Sequence, residues 1–222
     1  MSIFSSPKEK LIASLRIERK FLGPNGLDGD TALAMIRSVL PELVMDFPSR
    51  SVISLYLEDP DYLSLQQNYD GLGQRRKHRI RWYGKLDQSG LVAFEQKSRV
   101  NRYIQKTTVH KPLAALSSLL RWYQAEHGLL QPAVLVAYRR QYLRIQGSAV
   151  RFTVDDQIRV GLPLVGDPIE AQLKAAPSSR VVVEVKSPAG SEAMVANFTN
   201  RLPWPEDPFS KFANGMRWLS TR

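Results

Sequence analysis

Residues 77–83 (KHRIRWY) and 91–99 (LVAFEQKSR) decide how this chain is read. Side chains at i and i+2 project from the same face of an extended strand. Lys77, Arg79 and Arg81 therefore share one face of the first stretch, with Ile80 and Trp82 opposite. Glu95, Lys97 and Arg99 share a face of the second. Residues 84–90, with glycine at both ends, read as the loop of a hairpin joining the two. The result is a strand pair with one apolar face and one ionic face.

The same region holds most of the charge. Between residues 75 and 111 stand eleven Lys and Arg against two acids, Asp87 and Glu95, a net +9. The whole 222-residue chain carries only +10, so the remainder is close to neutral. Such a concentration is the footprint of a phosphate-bearing ligand or an acidic surface. Regular alternation and interleaved aromatics distinguish it from a disordered basic tail.

Outward from this pair the pattern recurs. Arg16, Glu18 and Lys20 share a face of a strand expected over 15–21. Arg151 and Asp155 share a face of the strand starting at 149, as do Glu184 and Lys186 in the strand over 181–186. Further strands are expected over 51–57 and 133–140, and 59–71 reads as a short helix or turn. Helices are expected over 30–40, with Asp30 as N-cap, over 112–127, closed by Gly128, and over 191–201 and 209–219. The apolar stripe from Leu113 to Tyr123 reads as core packing, and Trp204, Met216 and Trp218 as the packing of the last helix. His78 should point away from the basic face, and Arg75 and Arg76 precede the strand as solvated charges. No repeat or long linker interrupts the sequence, so one α+β domain is expected over 1–222, its core about 15–220.

Several chemistries are excluded. The chain has no cysteine, hence no disulfide, Cys-ligated zinc, iron–sulfur cluster or cysteine nucleophile. Three scattered histidines, His78, His110 and His127, do not make a histidine metal site. No apolar run approaches the roughly 18 residues of a membrane span, and the N-terminus lacks the pattern of a secretory signal. The expected setting is cytoplasmic and reducing.

Five ionic strand faces exceed what a one-sided sheet in water needs. Curling such a sheet turns the charged faces inward to line a wet tunnel. Cations converging on one axis repel each other unless an anion lies there. A polyphosphate chain fits, since its charge is dense and arginine reaches its oxygens bidentately. The carboxylates then call for a divalent cation, because Mg²⁺ or Mn²⁺ takes one or two carboxylates and fills its other positions with phosphate oxygens and water. Glu184, inside the apolar strand VVVEVK, is the leading metal ligand. Glu18 and Glu95 either join it or pair with neighbouring Lys and Arg. Asp155 and Asp156 are expected to cap a turn or to orient Arg151.

RIERKF, SLYLEDPDY, RRKHRIRWYG, FEQKSR, VAYRRQYL, VRFTVD, VVVEVK and FSKF occur in this order. The ordered set resembles the catalytic domain of the vacuolar transporter chaperone (VTC) family, the polyphosphate polymerase domain of the triphosphate tunnel metalloenzyme (CYTH-like) superfamily. The resemblance implies an antiparallel β-barrel or tunnel with helices packed outside, holding a triphosphate or polyphosphate and a divalent metal, Mn²⁺ or Mg²⁺. Position by position it implies phosphate contacts from Lys20, Arg79, Arg81, Lys97, Lys106, Arg140, Arg151 and Lys211, and a metal on Glu184. Lys186 joins the phosphate ligands through the strand face it shares with Glu184. Ser210 and Lys211, with Arg79 and Arg81, would form the catalytic group at the terminal phosphates.

Two positions depart from the wider pattern. The hydrolase branches begin ExExK, and Arg16 replaces the first Glu here. The eukaryotic polymerases carry a further Lys three residues before the last one, where this chain has Pro208. The expected activity is phosphoryl transfer from ATP, or another triphosphate, to a growing polyphosphate. Rivals are a tripolyphosphatase or nucleoside triphosphatase on the same fold, and a non-catalytic binder of polyphosphate or nucleic acid. RNA ranks lowest: Trp82, Tyr83 and Tyr103 could stack bases, but the ionic residues lie on strands far apart in sequence.

Overall fold

Alternating side chains in the basic region become paired strands. β3 (Gln74–Tyr83) and β4 (Leu91–Val100) run antiparallel in unbroken register from Gln74↔Val100 to Arg81↔Ala93. The computed structural model describes residues 15–84, 90–112, 116–164, 169–178 and 180–221. Most of the hairpin loop expected over 84–90, and Leu113 of the expected apolar stripe, lie outside the described residues.

The other strands are β1 (Arg16–Asn25), β2 (Leu43–Glu58), β5 (Tyr103–Pro112), β6 (Gln131–Ile145), β7 (Arg151–Gly161), β8 (Lys174–Ala175) and β9 (Arg180–Pro188). Among the described residues nine strands form one sheet, in the order β6-β2-β3-β4-β5-β1-β9-β7-β8. β6 also pairs with β7, so every strand but β8 belongs to a closed ring. The seam is uneven. β2 and β6 pair from Leu43↔Ile145 to Glu58↔Gln131, whereas β1 and β5 share only Arg16↔Ile104 and Ile17↔Tyr103.

Helices α1 (Gly29–Val39), α2 (Leu63–Tyr69), α3 (Leu116–His127), α4 (Ile169–Gln172), α5 (Glu192–Thr199) and α6 (Lys211–Ser220) pack around the ring. Ile36 and Leu40 of the α1 region bury against Phe152, Val183 and Val185, covering β7 and β9. Tyr123 and Trp122 of α3 do the same for Ile80, Trp82 and Phe94 on β3 and β4. At the end of the ring α6 seats Phe212 among Val134, Val136 and Val160. A Cβ at Gly215 would meet Val134 at 3.3 Å and Val160 at 3.4 Å, so glycine permits this close approach.

The structure corrects several local expectations. Asp28, not Asp30, caps α1, because its extended backbone lets the carboxylate accept from the N–H groups of Asp30 and Thr31 at 2.9 Å. Asp30 instead binds Arg139 at 3.0 Å. Arg75 and Arg76 lie inside β3, which starts one residue earlier. β5 has no counterpart among the expected strands: its ten residues show no apolar period, and only Ile104 is buried. Trp204 packs with the α1 core rather than under α6.

Candidate active site

The alternation rule places Ile80, Trp82, Phe94, Val183 and Val185 in the outer cores and the ionic residues on the inner face, where Val134, Val136 and Val160 also lie against Phe212. Cross-strand register then stacks the inner residues into tiers. Tyr56, Arg79 and Glu95 stand opposite one another across β2, β3 and β4, and Lys77, Lys97 and Lys106 do so across β3, β4 and β5. Lys20 faces Glu184 between β1 and β9, and Arg140 faces Asp155 between β6 and β7. Residues far apart in sequence thereby meet in one cavity of about 350 Å³.

The candidate phosphate ligands Lys20, Arg79, Arg81, Lys97, Lys106, Arg140, Arg151, Lys186 and Lys211 all line this cavity, as do Ser210, Glu18 and Glu184. A second opening shares Glu18, Lys20, Lys77, Lys97 and Ser210 and extends past Arg75 and Arg99 to Glu206, Asp207 and Pro208. The two spaces are therefore contiguous. Glu95 does not line the wall. Only 2% exposed, it holds Arg79 at 2.5 Å and Arg81 at 3.6 Å and contacts Lys106.

The arginines are held in place by carboxylates and hydroxyls. Arg140 grips Asp155 with two bonds of 2.6 and 2.7 Å, and Lys211 reaches the same fully buried carboxylate at 2.6 Å. Arg81 donates to Tyr138 Oη at 3.0 Å and Ser54 Oγ at 3.3 Å. Burial alone would lower the pKa of Arg79 and Arg140. Glu95 beside the first and Asp155 beside the second override it, and both stand above the usual arginine value. Conversely, burial pushes the Asp155 carboxyl up while Arg140 and Lys211 outweigh it, leaving a pKa of about 2. Asp155 thus orients Arg140 and Lys211, not Arg151, because the side chain of Arg140 projects directly opposite it in the β6–β7 ladder. Asp156, on the other face, holds Arg139 at 2.6 Å and accepts from the Gly29 N–H at 2.9 Å, anchoring α1.

Lys20 and Lys77 are held differently. Lys20 Nζ donates to the Phe209 carbonyl at 2.7 Å, and Lys77 Nζ to Asn68 Oδ1 at 2.6 Å and Ser210 Oγ at 2.9 Å. Their hydrogen-bond acceptors are neutral. Burial lowers Lys20 to about 8, Glu184 offsetting part of the effect and Lys97 adding to it. Burial, then repulsion from Lys20 and Lys97, takes Lys77 well below the ordinary lysine value.

Glu18 and Glu184 both line the cavity from the paired strands β1 and β9. Lys97 lies 2.5 Å from Glu18 and 4.0 Å from Glu184, and Lys186 is 2.8 Å from Glu184. Burial pushes Glu184 up, but Lys186, Lys97 and Lys20 hold it well below the carboxylate range. Thr153, opposite Glu184 in the β7–β9 register, has a buried Oγ1 without a hydrogen-bond partner. Among the described residues no group of three or more His, Cys, Asp and Glu could hold a metal. Two facing carboxylates beside an unpartnered hydroxyl suit a hard divalent cation that draws its remaining oxygens from phosphate and water.

The aromatic residues do not make one stacking surface. Trp82 is buried in the α3 core, Tyr103 Oη binds Glu192 at 3.3 Å, and Tyr83 lines the cavity. His78 faces outward, its Nδ1 2.9 Å from Tyr123 Oη. Tyr56, Tyr138 and Lys77 also line the cavity without being expected as phosphate ligands, although Lys77 shares strand parity with Arg79 and Tyr138 with Arg140. Tyr56 is reached only through the β2–β3 register, which sets it opposite Arg79.

A family model for the VTC domain matches residues 30–220. The chain belongs to the VTC domain family. No curated protein matches the sequence. Among solved structures, a protein of Pyrococcus horikoshii is similar with a TM-score of 0.53 at 12% identity, covering 91% of this chain and 98% of its own. HpAC1 from Hippeastrum, an adenylyl cyclase candidate described as having a dominant triphosphatase activity, is similar with a TM-score of 0.50 at 12% identity, covering 91% and 94%. A conserved hypothetical protein of Pyrococcus furiosus follows with 0.51 at 11%, covering 88% and 96%. This VTC domain thus has the triphosphate tunnel fold. No helix among its described residues is long and apolar enough to cross a membrane.

Proposed function

We propose that this VTC domain transfers phosphoryl groups within its cationic cavity, using ATP or another triphosphate as donor and lengthening a polyphosphate chain. The observation that carries the reading is the convergence of arginine and lysine from β1, β3, β4, β5, β6, β7 and β9 on one cavity with three carboxylates, Glu18, Asp46 and Glu184, in its wall. Phosphoryl transfer needs positioning and charge neutralisation more than covalent chemistry. Arg79, Arg81 and Arg140, fixed by Glu95 and Asp155, would grip the equatorial phosphate oxygens without reorganising. Lys211 and Ser210, at the start of α6, would address the terminal phosphates, with Lys77 held ready on the Ser210 hydroxyl. Lys20, Lys97, Lys106, Arg151 and Lys186 would carry the rest of the chain's charge. Glu184, aided by Glu18, would hold Mn²⁺ or Mg²⁺, which when bound would neutralise charge across the phosphoryl oxygens.

Incubation of the protein with ATP and Mn²⁺ should yield polyphosphate above a heat-killed control, and its absence would sink the polymerase reading. One observation favours a second reading, a tripolyphosphatase. Pro208, where a polymerase-type lysine would stand, lines the second opening beside Glu206 and Asp207, so that side lacks the extra cation for an acceptor chain. Phosphate release from tripolyphosphate without chain growth would select it.

A further inference from the structure

The cavity wall changes character at one rim. Beyond Arg81 on the same face of β3 comes Tyr83, about 7 Å further along the strand. Opposite, β2 contributes Phe47 and Arg50. Three residues apart, these two would face opposite sides of a regular strand. The β2–β6 register slips between them, Phe47 pairing with Tyr142 and Arg50 with Arg140, so three steps on β2 span two on β6. This bulge turns both side chains into the cavity. Bulges recur next to active sites, where they re-aim a side chain. The Arg50 guanidinium lies over the rings of Tyr83, Phe47 and Tyr142 at 5.7, 5.9 and 6.0 Å. Phe47 nevertheless remains 50% exposed and Tyr83 46%. Arg50 makes no ion pair among the described residues, although it stands directly opposite Arg140.

We propose that Phe47, Arg50 and Tyr83 form a nucleobase subsite, on which the base of a nucleoside triphosphate stacks at this rim while its phosphates enter the cavity. The inference rests on the phosphate reading of the cavity and adds to it the residues that take the base. Aromatic faces and a guanidinium plane are the groups on which an unpaired base stacks. Tripolyphosphate has nothing to place against them. The two-residue step from Arg81 to Tyr83 leaves room for a ribose between phosphate and base. Asp46, at the same rim and 3.5 Å from Arg144, offers a carboxylate to the ribose hydroxyls.

Calorimetric titration of the full chain with ATP and, separately, with tripolyphosphate tests this. The double variant F47A/Y83A should lose about ten-fold in ATP affinity, the loss expected of one stacked base, and keep its affinity for tripolyphosphate. Tyr83→Phe, which retains the ring, should bind ATP like the wild type. Unchanged ATP affinity in the double variant, or equal losses for both ligands, overturns the subsite and leaves the phosphate cavity standing. If the wild type binds neither ligand, the phosphate reading itself fails and the subsite falls with it.

Discussion

Three arginines of the cavity, Arg79, Arg81 and Arg140, and two of its lysines, Lys20 and Lys77, are built on opposite principles. Arg79, Arg81 and Arg140 each contact a buried carboxylate, Glu95 or Asp155, and hydroxyls of Tyr56, Tyr138 and Ser54 fill out their contacts. Lys20 and Lys77 donate to a carbonyl, an amide and a hydroxyl, and both have depressed pKa values. The first group is anchored on buried carboxylates, a shaped wall. The second is a store of uncompensated charge that only an incoming anion relieves. The wall gives the site its geometry, and Lys20 and Lys77 supply driving force for filling it.

Removing the wall's support should have the largest effect. Glu95→Ala leaves Arg79, Arg81 and Lys106 without their shared carboxylate, and breaking such a buried network costs about 3–5 kcal/mol. The midpoint of urea unfolding should fall accordingly, and a loss below about 1 kcal/mol, the scale of an exposed pair, would break the contrast. Lys77→Met should act in the reverse sense on stability. Removing a desolvated, repelled ammonium should raise the thermal midpoint by about 2–4 °C, the shift expected of 1 kcal/mol in a chain of this size. The same substitution should lower tripolyphosphate affinity. Stability and affinity changing together would show that Lys77 is structural like the arginines.

The smallest effect is a pH dependence. Lys20 has a pKa of about 8 in the free protein. A bound polyanion raises it, so above pH 8 binding must take up a proton. Affinity should therefore be insensitive to Lys20 below pH 8 and fall as pH rises past it, by at most about ten-fold per unit for one proton. Lys20→Arg, charged throughout, should flatten that fall. An undiminished slope in the variant would assign it to another group.

Much of this was legible in the sequence because strand parity is a strict rule. Once 77–83 and 91–99 were extended, Arg79, Arg81 and Lys97 had to share the side opposite Ile80 and Trp82, and the structure places them so. β5 was not legible: polar residues stand on both of its faces and only Ile104 is buried, which erases the apolar period. The partnership of Asp155 with Arg140 was also hidden, since it depends on β6–β7 register rather than on either strand alone. The rim formed by Phe47 and Arg50 broke the parity rule through a bulge at Pro48–Ser49, and such slips cannot be read from alternation.

The most direct test of the account is a crystal structure of the full chain with tripolyphosphate bound. The phosphates should lie among Arg79, Arg81, Arg140 and Lys211 with those side chains scarcely moved, while Lys20 and Lys77 leave Phe209 and Asn68 for phosphate oxygens. Tripolyphosphate bound on the outer surface, with the Lys20 and Lys77 contacts intact, would contradict it.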